Sequence, residues 1–207
     1  MRPPSRSPHL GMTRPSVAHS CWPMIDSQED DDMTLESRTL ANHLVQKGAA
    51  MHAAATARPA AADWDESIEA VCVADDNTGV RKLTIRDFHF VGDGGADIGG
   101  WDLGPTSPEY LLGVISTCLT HTMLCLAAWR GLSLDRVEVR VTADNNDARF
   151  FGIETNTPPP PHNIRIHVDL ESSAMSDQER ADFILEAEAT CPIVQALRQP
   201  TAVTVDF

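Results

Sequence analysis

The sequence predicts an α+β domain, and three observations carry the prediction. Residues 67–73 and 80–91 read as strands on either side of the turn cluster Asp75-Asp76-Asn77-Thr78-Gly79. Residues 137–142 and 164–170 alternate as a second strand pair, and a long apolar helix stands between the pairs rather than alternating one for one with strands. A chain of 207 residues, 42% hydrophobic, can bury one core, and nothing in it requires a second independent domain.

Taken in order, residues 1–33 carry prolines at 3, 4, 8, 15 and 23 and end in an acidic run, without helical or strand periodicity. They are expected to form a disordered extension, either a targeting segment or an over-extended start with Met12, Met24 or Met33 as the true first residue. Residues 34–63 form an Ala-rich helical and linker segment whose helix ends before Pro59, and residues 64–207 form the folded domain. Within it, residues 92–104 hold six glycines but no G-x-G-x-x-G between strand and helix, so they are expected to be a flexible connection rather than a dinucleotide loop.

Ser107 is a candidate cap with Pro108 at the first helical position, and the helix runs through Leu111, Ile115, Leu119, Met123 and Leu126 to a stop at Gly131. Apolar nearly all round, it predicts a buried central helix. Residues 144–163, with four consecutive prolines, are a surface excursion between the second pair of strands. Ser176 and Glu179 make a capping box, Pro192 opens a further short helix to about residue 198, and residues 202–207 are expected to close as a strand.

Charge and cysteines narrow the function. Thirty acidic against 16 basic side chains leave a net charge of -14, which repels phosphate backbones and anionic lipid, so neither nucleic acid nor membrane is expected as a partner. The longest apolar run, 110–129, is interrupted by Ser116, Thr117, Thr120, His121 and Thr122 and is a poor membrane span. Five scattered cysteines, with no apolar signal core ahead of them, fit free thiols in a reducing cytoplasm.

Cys118 lies on the apolar helix and Cys191 in the Thr190-Cys191-Pro192 step. Their 73-residue separation rules out a local metal knuckle, so joint action needs folding to bring them together, as in a peroxidatic and resolving thiol pair. Taken alone, Cys118 fits a small hydrophobe in the core, whereas Cys191 at a helix start sits where unpaired N–H groups favour a thiolate. Cys72 and Cys125 read as packing. His121, three residues after Cys118, raises a nucleophile and base pair, or a metal held by Cys118, His121 and Cys125. Ligands at i, i+3 and i+7 splay too far for one tetrahedral ion, and no oxyanion hole can be located, so neither metal nor cofactor is expected.

The stretches Ile85-Arg86-Asp87-Phe88 and Gly99-Gly100-Trp101-Asp102-Leu103-Gly104-Pro105-Thr106-Ser107-Pro108-Glu109-Tyr110-Leu111-Leu112, the run Ser116-Thr117-Cys118, and Glu188-Ala189-Thr190-Cys191-Pro192-Ile193 closely resemble the OsmC/Ohr family, nearest its OsmC-like branch. The resemblance covers residues 64–207. It implies antiparallel sheets wrapped around long central helices in an intertwined homodimer, and a cysteine-based peroxidase that reduces organic hydroperoxides and is recycled by a dithiol, lipoyl-type in some members. Carried onto this chain, it makes Cys118 the peroxidatic thiolate and Cys191 the resolving thiol. It also implies an arginine from the first strands, Arg86 first and Arg81 second, and Glu109 to hold it. Glu109 precedes Cys118 by nine residues, one fewer than in the family's peroxidases, which puts the two on opposite faces of a continuous helix. That departure keeps a second reading open: a non-enzymatic dimer of the same fold that binds a small apolar ligand or senses redox state.

Overall fold

The computed structural model describes residues 39–58, 64–199 and 201–206. The disorder expected of residues 1–33 lies outside them.

Helix α1 (Leu40–Ala57) starts at Thr39, whose hydroxyl accepts from the Asn42 N–H at 3.2 Å. Helix α2 (Ser107–Arg130) is the centre of the domain. Its Ile115, Leu119, Met123 and Ala127 are fully buried. These lie four residues apart, so one row of the helix is sealed, each large side chain contributing roughly 1.5–3 kcal/mol of burial. Length and composition alone would let α2 cross a membrane; here α1, strand β4 (Arg136–Asp144), α3 (Asp177–Thr190) and α4 (Pro192–Arg198) pack against it as a core helix. Against α1 the approach is close. A Cβ on Gly48 would stand 2.4 Å from the Ala128 carbonyl oxygen, and the His52 ring lies on Trp129 with centroids 4.1 Å apart.

There are two antiparallel sheets among the described residues, and one of them packs against α2 through β4. Strand β4 pairs with β5 (His162–Glu171) from Arg136↔Glu171 to Thr142↔Arg165, with an irregularity before Asp144↔His162. The expected alternation holds: Val137, Val139 and Val141 with Ile164, Ile166 and Val168 face the core.

The other sheet has the order β1 (Val71–Ala74), β2 (Arg81–Ile85), β3 (Phe88–Gly92). Here the single strand expected over 80–91 is corrected to a hairpin. Its turn is Arg86-Asp87, with Arg86 in the left-handed region at φ 54°. The turn lacks the Gly or Asn that usually announces one. The β1–β2 turn is as expected: Asp75 accepts from the Asn77 N–H, the Thr78 hydroxyl and Lys82 Nζ, the last at 2.5 Å. Cross-strand register puts Cys72, Leu83, Ile85, Phe88 and Phe90 on one face with Arg81 at its end. That apolar face is left open by the described residues: Phe88 is 55% and Phe90 43% exposed.

The glycine segment 92–104 is an ordered loop, contrary to the flexible connection expected. Asp93, 3% exposed, accepts from the N–H groups of Gly94, Trp101 and Leu103 at 2.8, 3.0 and 3.2 Å, around a short 3₁₀ turn at Ala96–Ile98. Its glycines are needed for contact: a Cβ on Gly100 would stand 2.0 Å from the Gly94 carbonyl oxygen. Two further expectations are corrected. The cap of α2 is Thr106, not Ser107, because only Thr106 has Glu109 three residues on to complete a capping box. Residues 201–206 are not a strand: they pair with no strand among the described residues.

Candidate thiol site

The α3–α4 joint is what reaches the central helix. A capping box at Ser176 and Glu179 starts α3, and Cys191 ends it while serving as the cap residue of α4, where the Cys191 carbonyl accepts from Gln195 N–H at 3.0 Å. Pro192 fixes the entry to α4 without leaving an N–H unpaired. The joint buries Cys191 completely and brings its thiol near that of Cys118 on α2, with the Ile193 N–H close enough to act on the Cys118 sulfur. Folding therefore brings the two cysteines together. The Ile193 N–H had no sequence signal beyond the proline that orders the turn before it.

The electrostatics of Cys118 run against a thiolate in the single chain. Burial pushes its thiol up from the ordinary value, and the adjoining Cys191 thiol adds to the rise; the Ile193 N–H and the Thr122 hydroxyl pull the other way. No cation is among the groups acting on it.

The other two candidates lie elsewhere in the chain. Arg86 occupies the exposed β2–β3 turn, its guanidinium over the Phe88 ring at 5.1 Å. Glu109 is engaged at the start of α2, where its carboxylate accepts from the Thr106 N–H at 2.7 Å and the Thr106 hydroxyl at 2.8 Å, which hold it below the usual glutamate range. Because α2 is continuous, the nine-residue offset from Cys118 is not absorbed by an irregularity at Gly113. Arg81 borders a cavity of about 740 Å³ beside the first turn of α2. His121 turns to Cys125, with Nε2 3.4 Å from Sγ, rather than to Cys118. Among the described residues no group of three or more His, Cys, Asp or Glu is placed to hold a metal ion.

Residues 99–206 match the family model described as OsmC-like protein, more than half of the chain and inclusive of both cysteines. The chain belongs to the OsmC-like family. Several solved structures are similar to this chain. An OsmC-like protein from Mycoplasma pneumoniae superposes with a TM-score of 0.55 at 17% identity, over 65% of this chain and 89% of that one. An organic hydroperoxide resistance protein OsmC from Legionella pneumophila gives 0.49 at 14% identity, over 66% and 92%. An OsmC-like protein of unknown function from Vibrio cholerae gives 0.49 at 10%, over 64% and 94%. No curated protein matches in sequence. The Mycoplasma pneumoniae protein thus shares the α+β fold of this chain.

Proposed function

We propose that this chain is a thiol-dependent peroxidase that reduces organic hydroperoxides to alcohols. The observation that carries the reading is the proximity of the Cys118 and Cys191 thiols, brought about by two separate elements in a member of a family with relatives named for hydroperoxide resistance. The Cys118 thiolate attacks the O–O bond; its sulfur takes one oxygen as sulfenic acid and the alcohol leaves with a proton. Cys191 then attacks that sulfur, water leaves, and the disulfide is returned to two thiols by an external dithiol, which is oxidised in turn. The thiolate needs a cation. A homodimer supplies it, with the open β1–β3 face of one copy carrying Arg86, or Arg81, to the thiols of the other.

The test is one equivalent of cumene hydroperoxide added to reduced protein, with thiols mapped by mass. A Cys118–Cys191 disulfide formed within seconds, absent in Cys118→Ser, is the expected result; two free thiols after many minutes would sink the reading. That outcome favours the second reading, a non-enzymatic dimer that binds an apolar ligand or senses redox state, which the raised Cys118 thiol and the engaged Glu109 support.

A further inference from the structure

The cavity beside the first turn of α2 has walls of a definite kind. Ile98 of the glycine loop, Leu111 of α2, and Phe150 and Phe151 of the 144–163 excursion supply its apolar lining, and Arg81, Asp93 and Asp147 supply its charges. At about 740 Å³ it has the size and chemistry of a site for a small organic molecule. Leu111 precedes Cys118 by seven residues, about two helical turns or roughly 10 Å along the same face of α2. A molecule held against Leu111 thus lies about two turns of α2 from Cys118.

The charges decide which molecule. One guanidinium stands against two carboxylates. Asp93 keeps its charge because three N–H groups converge on it, the Gly94 N–H first, and Arg81 adds attraction from across the wall. The Asp147 carboxylate accepts from Asn145 Nδ2 at 2.8 Å. Arg81 lines the cavity and makes no side-chain hydrogen bond or ion pair with the described residues, but its charge is offset by the two carboxylates. The positive end of α2 is no lure for an anion either, because Glu109 has filled it with its own carboxylate and Pro108 has no N–H to offer.

We propose that this cavity binds the tail of an uncharged apolar molecule, with Arg81 donating to a neutral oxygen, and that Asp93 and Asp147 turn away molecules bearing a carboxylate. The site rests on the peroxidase reading only for the identity of its occupant as substrate. Uncharged aromatic or aliphatic hydroperoxides are then the preferred class, and fatty-acid-type hydroperoxides are poor ones.

The test is calorimetric titration of the full-length Cys118→Ser chain with 4-isopropylbenzyl alcohol and 4-isopropylbenzoate, a pair alike in shape and differing in charge. The alcohol is expected to bind about tenfold or more tightly than the acid, the margin that a net carboxylate at contact range imposes in a partly screened site. Phe151→Ala weakens the alcohol, and Asp147→Asn or raised salt narrows the gap between the two. Equal binding, tighter binding of the acid, no binding of either at millimolar concentration, or alcohol binding indifferent to Phe151→Ala would each overturn the proposal. Because the variant cannot turn over, these outcomes are independent of whether the wild-type thiols react with peroxide.

Discussion

The pH behaviour of Cys118 follows from its surroundings. With the folded thiol raised above its ordinary value of 9.0, the folded state holds the proton longer than the unfolded chain does. Its contribution to stability is therefore complete below pH 9.0 and is lost as pH rises through the folded value. Chemical denaturation of the reduced protein from pH 8 to 10.5 is expected to show that loss, and Cys118→Ser to reduce it. Asp75 has the opposite sign. Lys82 first, then the Asn77 N–H, lowers its carboxyl to about 2, so the β1–β2 turn keeps its stabilisation above pH 3.8 and loses it as pH falls toward 2. In Asp75→Asn, hydrogen exchange at Asn77 and Gly79 should already be fast at neutral pH. Of the candidate site residues, the two cysteines were legible because each sits in a motif of several residues. The role of Asp93 was not, since one carboxylate gathering three distant N–H groups leaves no periodic signal.

At the scale of elements, local signals succeeded where the physics is local. The capping box at Ser176 and Glu179, Pro192, and the stop at Gly131 all involve residues within four of one another, and the helices end where those residues put them. The β2–β3 hairpin escaped notice because Arg86 takes a positive φ that arginine seldom adopts, leaving 80–91 to read as one strand. The close crossing of α1 and α2 yields a direct prediction. Gly48→Ala places a methyl against the Ala128 carbonyl, so α1 must shift or detach, at a cost of about 1–3 kcal/mol of the kind overpacking imposes. Thermal unfolding would register the loss, and a greater exposure of Trp129 to quenchers would locate it. Glu109→Gln is likewise expected to cost α2 about 0.5–1 kcal/mol of cap and charge stabilisation. If Glu109 also holds the arginine in the assembled protein, turnover falls with it; if its duty is the cap alone, turnover at a temperature well below unfolding is unchanged.

The whole molecule has one surface that a lone chain does not explain. Cys72, Leu83, Ile85, Phe88 and Phe90 share one face of the β1–β3 sheet, the described residues leave Phe88 and Phe90 exposed on it, and Arg81 stands at the end of the same face. A contiguous apolar sheet face is a surface awaiting a partner, and the thiol site lacks the cation that its chemistry requires. The homodimer proposed above would answer both needs at once, so the two should fail together. Phe90→Glu puts a charge in the middle of the face. If the proposed homodimer forms, sedimentation velocity is expected to find the wild type a dimer and the variant a monomer, and Cys118 oxidation is expected to slow by at least about a hundredfold, the scale of losing a preorganised charge partner at a reacting centre. Phe90→Leu, which keeps the surface apolar, should preserve both. A Phe90→Glu monomer that still formed the Cys118–Cys191 disulfide at the wild-type rate would show that the cation comes from within the chain. The case for Arg86 or Arg81 of a second copy would then be lost, although the thiol pair itself would stand.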